Sequence, residues 1–468
     1  MISAAGAWSN PCSRSARNTA TKLKTWRTSP TPGLKSTRFD LPAHCNESLT
    51  RRTAVVAERA LDAQRTTWRS VVALTGPAVI ASVAYIDPGN IATNIEAGAH
   101  YGYDLLWVVA FANLLAIFIQ CLSAKLGIVT GHNLAELSRA CFPQPAVWIM
   151  WIASELVAMA TDLAEFLGAA IGFSLMLGAP LIIGMTITGV AAYLILGLER
   201  RGFRPLELVI AGLIAVVGFS YMAELLIAPT VWRATVYHLL IPTLPDRGAT
   251  LLAIAIIGAT VMPHTIYLHS GLTQSRLALH SDEQRRKLVR FSNREVLVAL
   301  GIAGVINLAM VTMAAAVFHD GAHDQVAGIE QAYRTLIPLL GGGAAAIFML
   351  ALIGSGLSSS VVGTMAGQMV MQGFVGFGIP LWFRRGLTML PAFLVATFGF
   401  DATHMLILSQ IVLSLGLPIP MISLWLLTSD KRLMGPFANT RFVNVLAIVA
   451  ISLVLVLNAT LLFQCFRM

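Results

Sequence analysis

Residues 82–98 read SVAYIDPGNIATNIEAG, an apolar run interrupted by an acid, a proline, a glycine and an amide. Proline lacks an N–H and clashes with the carbonyl one turn earlier, and Gly89 lets the chain leave helical geometry, so unwinding is expected over Asp87–Asn90. The surroundings make the interruption informative. Of the 468 residues, 56% are hydrophobic and only 12% charged, with a mean hydropathy of +0.73. That is more apolar surface than one globular core can hide, so the chain reads as an integral membrane protein. A carboxylate inside a membrane span is costly and usually faces a protein interior or a water-filled path. A broken helix is tolerated at that depth only where it is buried or lines a cavity. A proline kink with a hydrogen-bonded Asp87 would explain this stretch taken alone.

A second interruption decides between these readings. Residues 251–272 read LLAIAIIGATVMPHTIYLHSGL and break at Met262-Pro263-His264, five spans after the first break. Two interrupted helices at corresponding places of two five-span halves mark inverted-repeat transporters that bind substrate between the breaks. From Ser70 onward, apolar segments of the length that crosses about 30 Å of hydrocarbon alternate with short polar ones. Eleven helices are expected, near 71–99, 104–124, 146–175, 180–198, 205–228, 249–274, 295–318, 343–373, 386–399, 402–428 and 442–464. The repeats are then about 70–228 and 249–428, with an eleventh helix outside them. The fold class is an all-α polytopic membrane protein.

Charge distribution orients this arrangement. Residues 1–69 hold twelve Lys/Arg against four Asp/Glu, so most of the net charge of +9 sits in the N-terminal segment and a nucleic-acid partner is not indicated. With the N-terminus cytoplasmic, the inner loops carry sixteen Lys/Arg and the outer loops with the C-terminal tail carry four. That bias gives an N-in, C-out protein of the cell (inner) membrane. The segment 1–69 has no apolar run suited to a secretory signal and reads as a disordered cytoplasmic tail or an over-extended start. A transit peptide is the lesser alternative. Cys12, Cys45, Cys121, Cys141 and Cys465 form no CxxC pair, so neither a disulfide framework nor a zinc knuckle is indicated.

The residues at the breaks speak to the cargo. Asp87 offers a carboxylate, Asn90 an amide, Met262 a thioether, and unwound backbone adds carbonyls such as those of Ala84 and Ala259. A Ca²⁺ or Mg²⁺ site would be all oxygen, whereas a thioether favours softer first-row metals. Core packing is the ordinary role of methionine, but Met262 stands beside a helix break. In the third span Glu155, Asp162 and Glu165 share one face: 155 and 162 differ by about 20° and 162 and 165 by about 60°. Three acids on one buried stripe imply a proton route. Pairing with Arg384 and Arg385 is the structural alternative.

DPGN in the first span, MPH in the sixth, and the strings LSAKLGIVTGHNLAE and IYLHS resemble the natural-resistance-associated macrophage protein (Nramp) family of proton-coupled divalent-metal transporters, over about residues 70–464. The resemblance implies the LeuT-like 5+5 inverted repeat with broken helices 1 and 6. It implies a symporter of a bacterial type, importing Mn²⁺ foremost, with Fe²⁺, Cd²⁺ and Co²⁺. It carries metal ligands to Asp87, Asn90, Ala259 through its carbonyl, and Met262, with Ala84 and Gln410 joining in some conformations. Gln410 has an alternative reading as an interhelical hydrogen bond. A proton pathway is implied through Asp162, Glu165, Arg384 and Arg385 with Glu155, and with His264 near the metal. A histidine switches charge near ambient pH. His269 contributes to that path or packs between helices. Many members have Asn after MPH, where this chain has Thr265, and fine metal preference is correspondingly less constrained.

No enzyme activity and no cofactor are expected, only the transported metal and H⁺, in a monomer surrounded by lipid. His264 and His269 lack the intervening glutamate of HExxH. A sodium-coupled amino-acid symporter shares the fold but would present a small-residue pocket and a helix end to a substrate carboxylate. A metal channel could use the same ligands, and the stripe of acids argues against it.

Overall fold

A computed structural model describes residues 74–197, 203–274, 277, 279, 281–319, 329–340, 342–376 and 380–465. The N-terminal segment 1–69 lies outside them, as does the ERR run at 199–201. Helices account for the architecture, and no strand occurs among the described residues. In chain order they are α1 (Pro77–Val83), α2 (Pro88–Tyr101), α3 (Leu106–Thr130), α4 (Leu134–Cys141), α5 (Gln144–Leu177), α6 (Leu181–Gly197), α7 (Phe203–Ile227) and α8 (Trp232–Leu240). The chain continues through α9 (Arg247–Thr260), α10 (Pro263–Thr273), α11 (Asp282–Ala314), α12 (Ile329–Leu340), α13 (Gly342–Val375) and α14 (Leu381–Phe398). It ends with α15 (Ala402–Gly416), α16 (Pro418–Ser429), α17 (Lys431–Met434) and α18 (Arg441–Cys465). Eight spans among the described residues are long and apolar enough to cross a membrane, and shorter apolar helices cover Pro77–Ile86 and Leu181–Ile195.

All eleven expected segments are helical along most of their length, but their ends move for identifiable reasons. The seventh begins at Asp282 because Ser281 and Gln284 form a reciprocal capping box with two acids in the first turn, all of which favour a helix start. The second runs on to Thr130, where Gly131 in the left-handed region stops it. The ninth starts at Leu381, so Arg384 and Arg385 are buried helix residues, and removing them from the inner-loop count leaves fourteen basic residues against four. The tenth is two helices joined at Leu417, where Pro418 begins the second.

The packing is related to itself by exchanging each span with the one five later. Spans three and eight, α5 and α13, pack on each other, as do spans two and seven, α3 and α11. The pair α5–α6 has its counterpart in α13–α14, and α7–α13 in α15–α5. The contact of α2 with α11 is mirrored by that of α10 with α3, and α1 with α7 by α9 with α15. Each of these contacts of the first broken span, within its own half or with the other, therefore recurs for the second, the arrangement of a 5+5 inverted repeat.

Close approach of the two central spans depends on small residues. A side chain at Gly356 in α13 would stand 2.7 Å from the Ala169 nitrogen and 2.8 Å from the Glu165 carbonyl oxygen, both backbone atoms of α5. Backbone cannot swing aside, so Gly356→Leu is expected to cost about 1–3 kcal/mol through overpacking. A lowered thermal midpoint of the detergent-solubilised protein would register it.

Candidate metal site between the two helix breaks

Each break is a helix restart on a proline. α1 tightens into a 3-10 turn over Ala84–Ile86, Asp87 is extended, and α2 begins at Pro88. In the sixth span Met262 is extended and α10 begins at Pro263. Proline suits the first helical position, where its missing N–H is not needed. The expected unwinding over Asp87–Asn90 is thus corrected: Gly89 and Asn90 lie in the first turn of α2, and the irregular backbone precedes them. Asp87 is the reason, because its carboxylate caps α2, accepting from Gly89 N at 3.2 Å and Asn90 N at 2.9 Å. A carboxylate there also meets the positive end of the helix dipole.

Carbonyls freed by the break are held from the other half of the molecule. Asn307 of α11 donates to Tyr85 O at 2.8 Å, and the Ser355 hydroxyl of α13 donates to Ile86 O. Glu295 of α11 accepts from Gly76 N at 2.7 Å and Ala78 N at 3.2 Å at the start of α1. These partners meet the demand that buried backbone groups be paired where no water reaches.

Asp87, Asn90 and the Ala259 carbonyl converge. Asn90 Nδ2 donates to Asp87 Oδ1 at 2.7 Å and to Ala259 O at 3.0 Å, while Asn90 Oδ1 accepts from Thr260 Oγ1 at 3.0 Å. Asn90 thus turns its amide nitrogen, not its oxygen, toward the two acceptors. A donor there does what a cation would do, drawing a carboxylate and a carbonyl together. Met262 and Ala84 are fully buried at their respective breaks. Gln410 of α15 lies against Gly89, whose absent side chain leaves room for it: a Cβ there would be 2.2 Å from Gln410 Nε2. Gln410 Nε2 donates to Ser409 Oγ at 2.9 Å, and its Oε1 has no hydrogen-bond partner.

The acids lie alongside. Asp162 and Glu165 of α5 flank Gly363 of α13, where a Cβ would be 3.0 Å from Asp162 Oδ1 and 2.6 Å from Glu165 Oε2. Both are buried; neither Glu165 oxygen nor Asp162 Oδ1 has a hydrogen-bond partner, and Glu165 lies within Coulombic reach of both Asp162 and Asp87. Arg385 faces the same two acids electrostatically and donates to Ser360 O at 2.7 Å, to Thr364 Oγ1 at 2.6 Å and to the Ser360 hydroxyl. Glu155 pairs with Arg384 at 2.8 Å. The structural alternative of carboxylate–arginine pairing therefore holds for Glu155, while Asp162 and Glu165 make no direct ion pair with either arginine among the described contacts.

His264 meets Thr161 Oγ1 through Nδ1 at 3.2 Å, joining α10 to α5, and its Nε2 has no partner. His269 stands apart from it: its Nδ1 meets Gln120 Oε1 at 2.9 Å, and Gln120 Nε2 donates to Tyr85 OH at 2.8 Å and Thr265 Oγ1 at 3.2 Å. Thr265 in turn donates to Met262 O at 2.7 Å, so it ties the second break into this network. Tyr85, Gln120, Thr161, Thr260 and Asn307 were not singled out from sequence. The legible signal for Gln120 was a lone amide inside the apolar run LLAIFIQCLSA.

The two breaks, facing each other inside a membrane bundle around one carboxylate, define a polytopic transporter of the LeuT-like class. The family model described as natural resistance-associated macrophage protein-like matches residues 78–464, and the chain belongs to that family. It is thus a member of a transporter family, not an enzyme. Among its relatives is the divalent metal cation transporter MntH of Acidiphilium cryptum, 57% identical over 419 residues, covering 89% of this chain and 96% of that one. MntH of Granulibacter bethesdensis is 55% identical over 420 residues, covering 90% and 94%. The solved Eremococcus coleocola manganese transporter superposes with a TM-score of 0.77 at 32% identity, covering 85% of this chain and 87% of that one. MhsT, solved with L-phenylalanine, shares the fold at a TM-score of 0.54 and 14% identity, covering 82% and 98%.

The Glu155–Arg384 pair is nearly dry, with the side chains 19% and 4% exposed. Arg384→Met leaves Glu155 without its counter-charge, and a loss of about 3 kcal/mol is expected. The double variant with Glu155→Leu should recover part of it. Thermal unfolding of the three proteins in one detergent measures the difference.

Proposed function

We propose that the chain is a proton-coupled symporter that imports divalent transition-metal ions, Mn²⁺ foremost and also Fe²⁺, Cd²⁺ and Co²⁺, across the inner membrane. The observation that carries this reading is the convergence of Asp87, Asn90 and the Ala259 carbonyl between two helix breaks, with Met262 at the start of the second. A half-turn of the Asn90 amide about its terminal bond would exchange Nδ2 for Oδ1 and present three oxygens to a cation. Met262 adds a soft ligand, and Ala84 and Gln410 are the further candidates. The names of the relatives support divalent metal as the cargo.

Proton coupling rests on the charged path beside the site. Glu165 senses Asp87, Asp162 lies next to Glu165, and Arg385, Arg384 and Glu155 continue the line away from the metal ligands. Both His264 and His269 leave Nε2 without a hydrogen-bond partner; His264, two residues from Met262, is the one at the metal end, and His269, further along α10, is tied through Nδ1 to Gln120 of α3. The topology is N-terminus cytoplasmic and C-terminus outside, as the loop charges favour, and the proposed transport unit is a single copy of the chain. A sodium-coupled amino-acid symporter is disfavoured even though MhsT shares the fold, because Asp87 would repel a substrate carboxylate at the break. The purified protein in sealed liposomes, assayed for Mn²⁺ uptake with and without an inward proton gradient, tests the proposal. Acid-driven uphill accumulation is expected, and downhill flux alone would make it a channel. Asp87→Ala should insert normally and lose uptake, since it removes the anionic ligand. Uptake at the normal rate would place the site elsewhere.

The role of Met262 is discrimination. Manganese binds oxygen and nitrogen well, so a thioether adds little affinity for it, but Ca²⁺ and Mg²⁺ use a soft ligand poorly. Met262→Ala is expected to lower Mn²⁺ uptake partly, weaken Cd²⁺ uptake sharply and admit competition by Ca²⁺ or Mg²⁺. Competition assays with excess Ca²⁺ and Mg²⁺ measure this, and a variant that still excludes both would assign selectivity to cavity geometry.

A further inference from the structure

The helix α8 between the fifth and sixth spans is inside out for a helix in water. Its residues WRATVYHLL place Trp232, Val236, Leu240, Arg233 and Tyr237 at about 0°, 40°, 80°, 100° and 140° around the axis, one continuous arc. All five are exposed: Trp232 by 59%, Val236 and Tyr237 by 55% and Leu240 by 74% among the apolar ones. The opposite arc, half-buried on the protein, carries Ala234, Thr235, His238 and Leu239. A surface helix normally turns its apolar stripe to the core. Here the apolar side chains face away.

The protein holds α8 in this attitude by polar contacts. On α8 itself, His238 Nδ1 lies 3.0 Å from Asp104 Oδ1, a close polar approach without hydrogen-bond geometry. Thr243 donates to Asp104 O at 3.1 Å, and Trp107 Nε1 donates to Thr243 O at 2.9 Å. Val231 N donates to Tyr103 OH at 3.4 Å. Rotating the arc toward the protein would carry His238 away from Asp104, and the contacts of Val231 and Thr243 fix the chain on either side of the helix, so the outward face is built in.

We infer that this face is seated in the headgroup boundary of the lipid bilayer, making α8 an interfacial anchor. Three observations favour lipid over another protein surface. The arc is continuous in the chain with the outward-facing end of α7, where Phe219, Leu226 and Ile227 are exposed apolar residues of a membrane span. It combines Trp and Tyr, the residues enriched at membrane–water interfaces, with an arginine placed to reach lipid phosphate. And it is too small for a stable dimer contact, because nine residues of helix span only about 14 Å, whereas a stable interface buries roughly 800 Å² per partner.

The anchor has a mechanical connection to the broken spans. Asp246, just beyond α8, accepts from Tyr101 OH at the end of α2 at 3.0 Å and from Ala249 N in the first turn of α9 at 2.7 Å. The lipid-seated segment thus braces the ends of both interrupted helices on one face of the membrane.

The test attaches an environment-sensitive fluorophore (NBD) at position 236 through Val236→Cys, in a chain whose five native cysteines are replaced by alanine, reconstituted in phosphatidylcholine vesicles. Headgroup-nitroxide lipid should quench the emission by about half or more, and aqueous iodide should quench it little, as for a side chain at the headgroup level. Quenching by iodide but not by the lipid nitroxide would overturn the inference in favour of water. Shielding from both would overturn it in favour of a second copy of the chain. A measurement on the native-cysteine protein guards against misfolding: tryptophan quenching by lipid brominated at shallow acyl positions should fall in Trp232→Phe relative to the unaltered chain. Equal quenching in the two proteins counts against the anchor.

Discussion

The buried carboxylate of Asp87 governs the rest of the structure. An unpaired anion cannot be left in hydrocarbon, where no water is available to solvate it. The chain meets the demand locally by starting a new helix on it: Gly89 N and Asn90 N point at the carboxylate, and Asn90 Nδ2 adds a third donor. The break is the consequence, since amides free to bind an anion exist only at a helix start.

That local solution creates a tertiary obligation. Ending α1 leaves carbonyls unpaired, and the ladder of hydrogen bonds is completed by Asn307 and Ser355 from spans seven and eight. Proline at the restart must also be accommodated. Gly168 of α5 provides the space, since a Cβ there would be 2.1 Å from Pro88 Cβ. Gly363 similarly makes room for Asp162 and Glu165. The two halves of the chain are therefore needed together: each broken span is completed by groups from the opposite repeat, and the polar site exists only where they meet.

Much of this was legible from residues read in order. Segment length and apolarity gave the spans, because crossing the bilayer is a local requirement on consecutive residues. Asp87, Pro88 and Met262-Pro263 announced the breaks, because proline and an intramembrane acid each have strong local consequences. The common face of Glu155, Asp162 and Glu165 followed from helical periodicity. Where the reading failed, a nonlocal or capping detail intervened. The first break is tighter than expected because Asp87 caps the helix, so Gly89 and Asn90 stay helical. Arg384 and Arg385 are helix residues, because α14 begins at Leu381 and packs against α5 and α13.

The sequence by itself determined that the chain crosses a membrane, where its helices are interrupted, and which side chains could bear charge there. Those properties follow from backbone chemistry and the transfer cost of individual residues, which depend on near neighbours in the chain. Only the tertiary structure decided that Asn90 turns its amide nitrogen to Asp87 and Ala259. It also decided that Gln410 lies against Gly89, that Glu155 makes a direct ion pair with Arg384 while Glu165 feels Arg385 only at longer range, and that Tyr85, Gln120, Thr265 and His269 form one network. These are choices among partners far apart in sequence. A buried polar group takes whichever partner the packing of distant helices brings within hydrogen-bond reach.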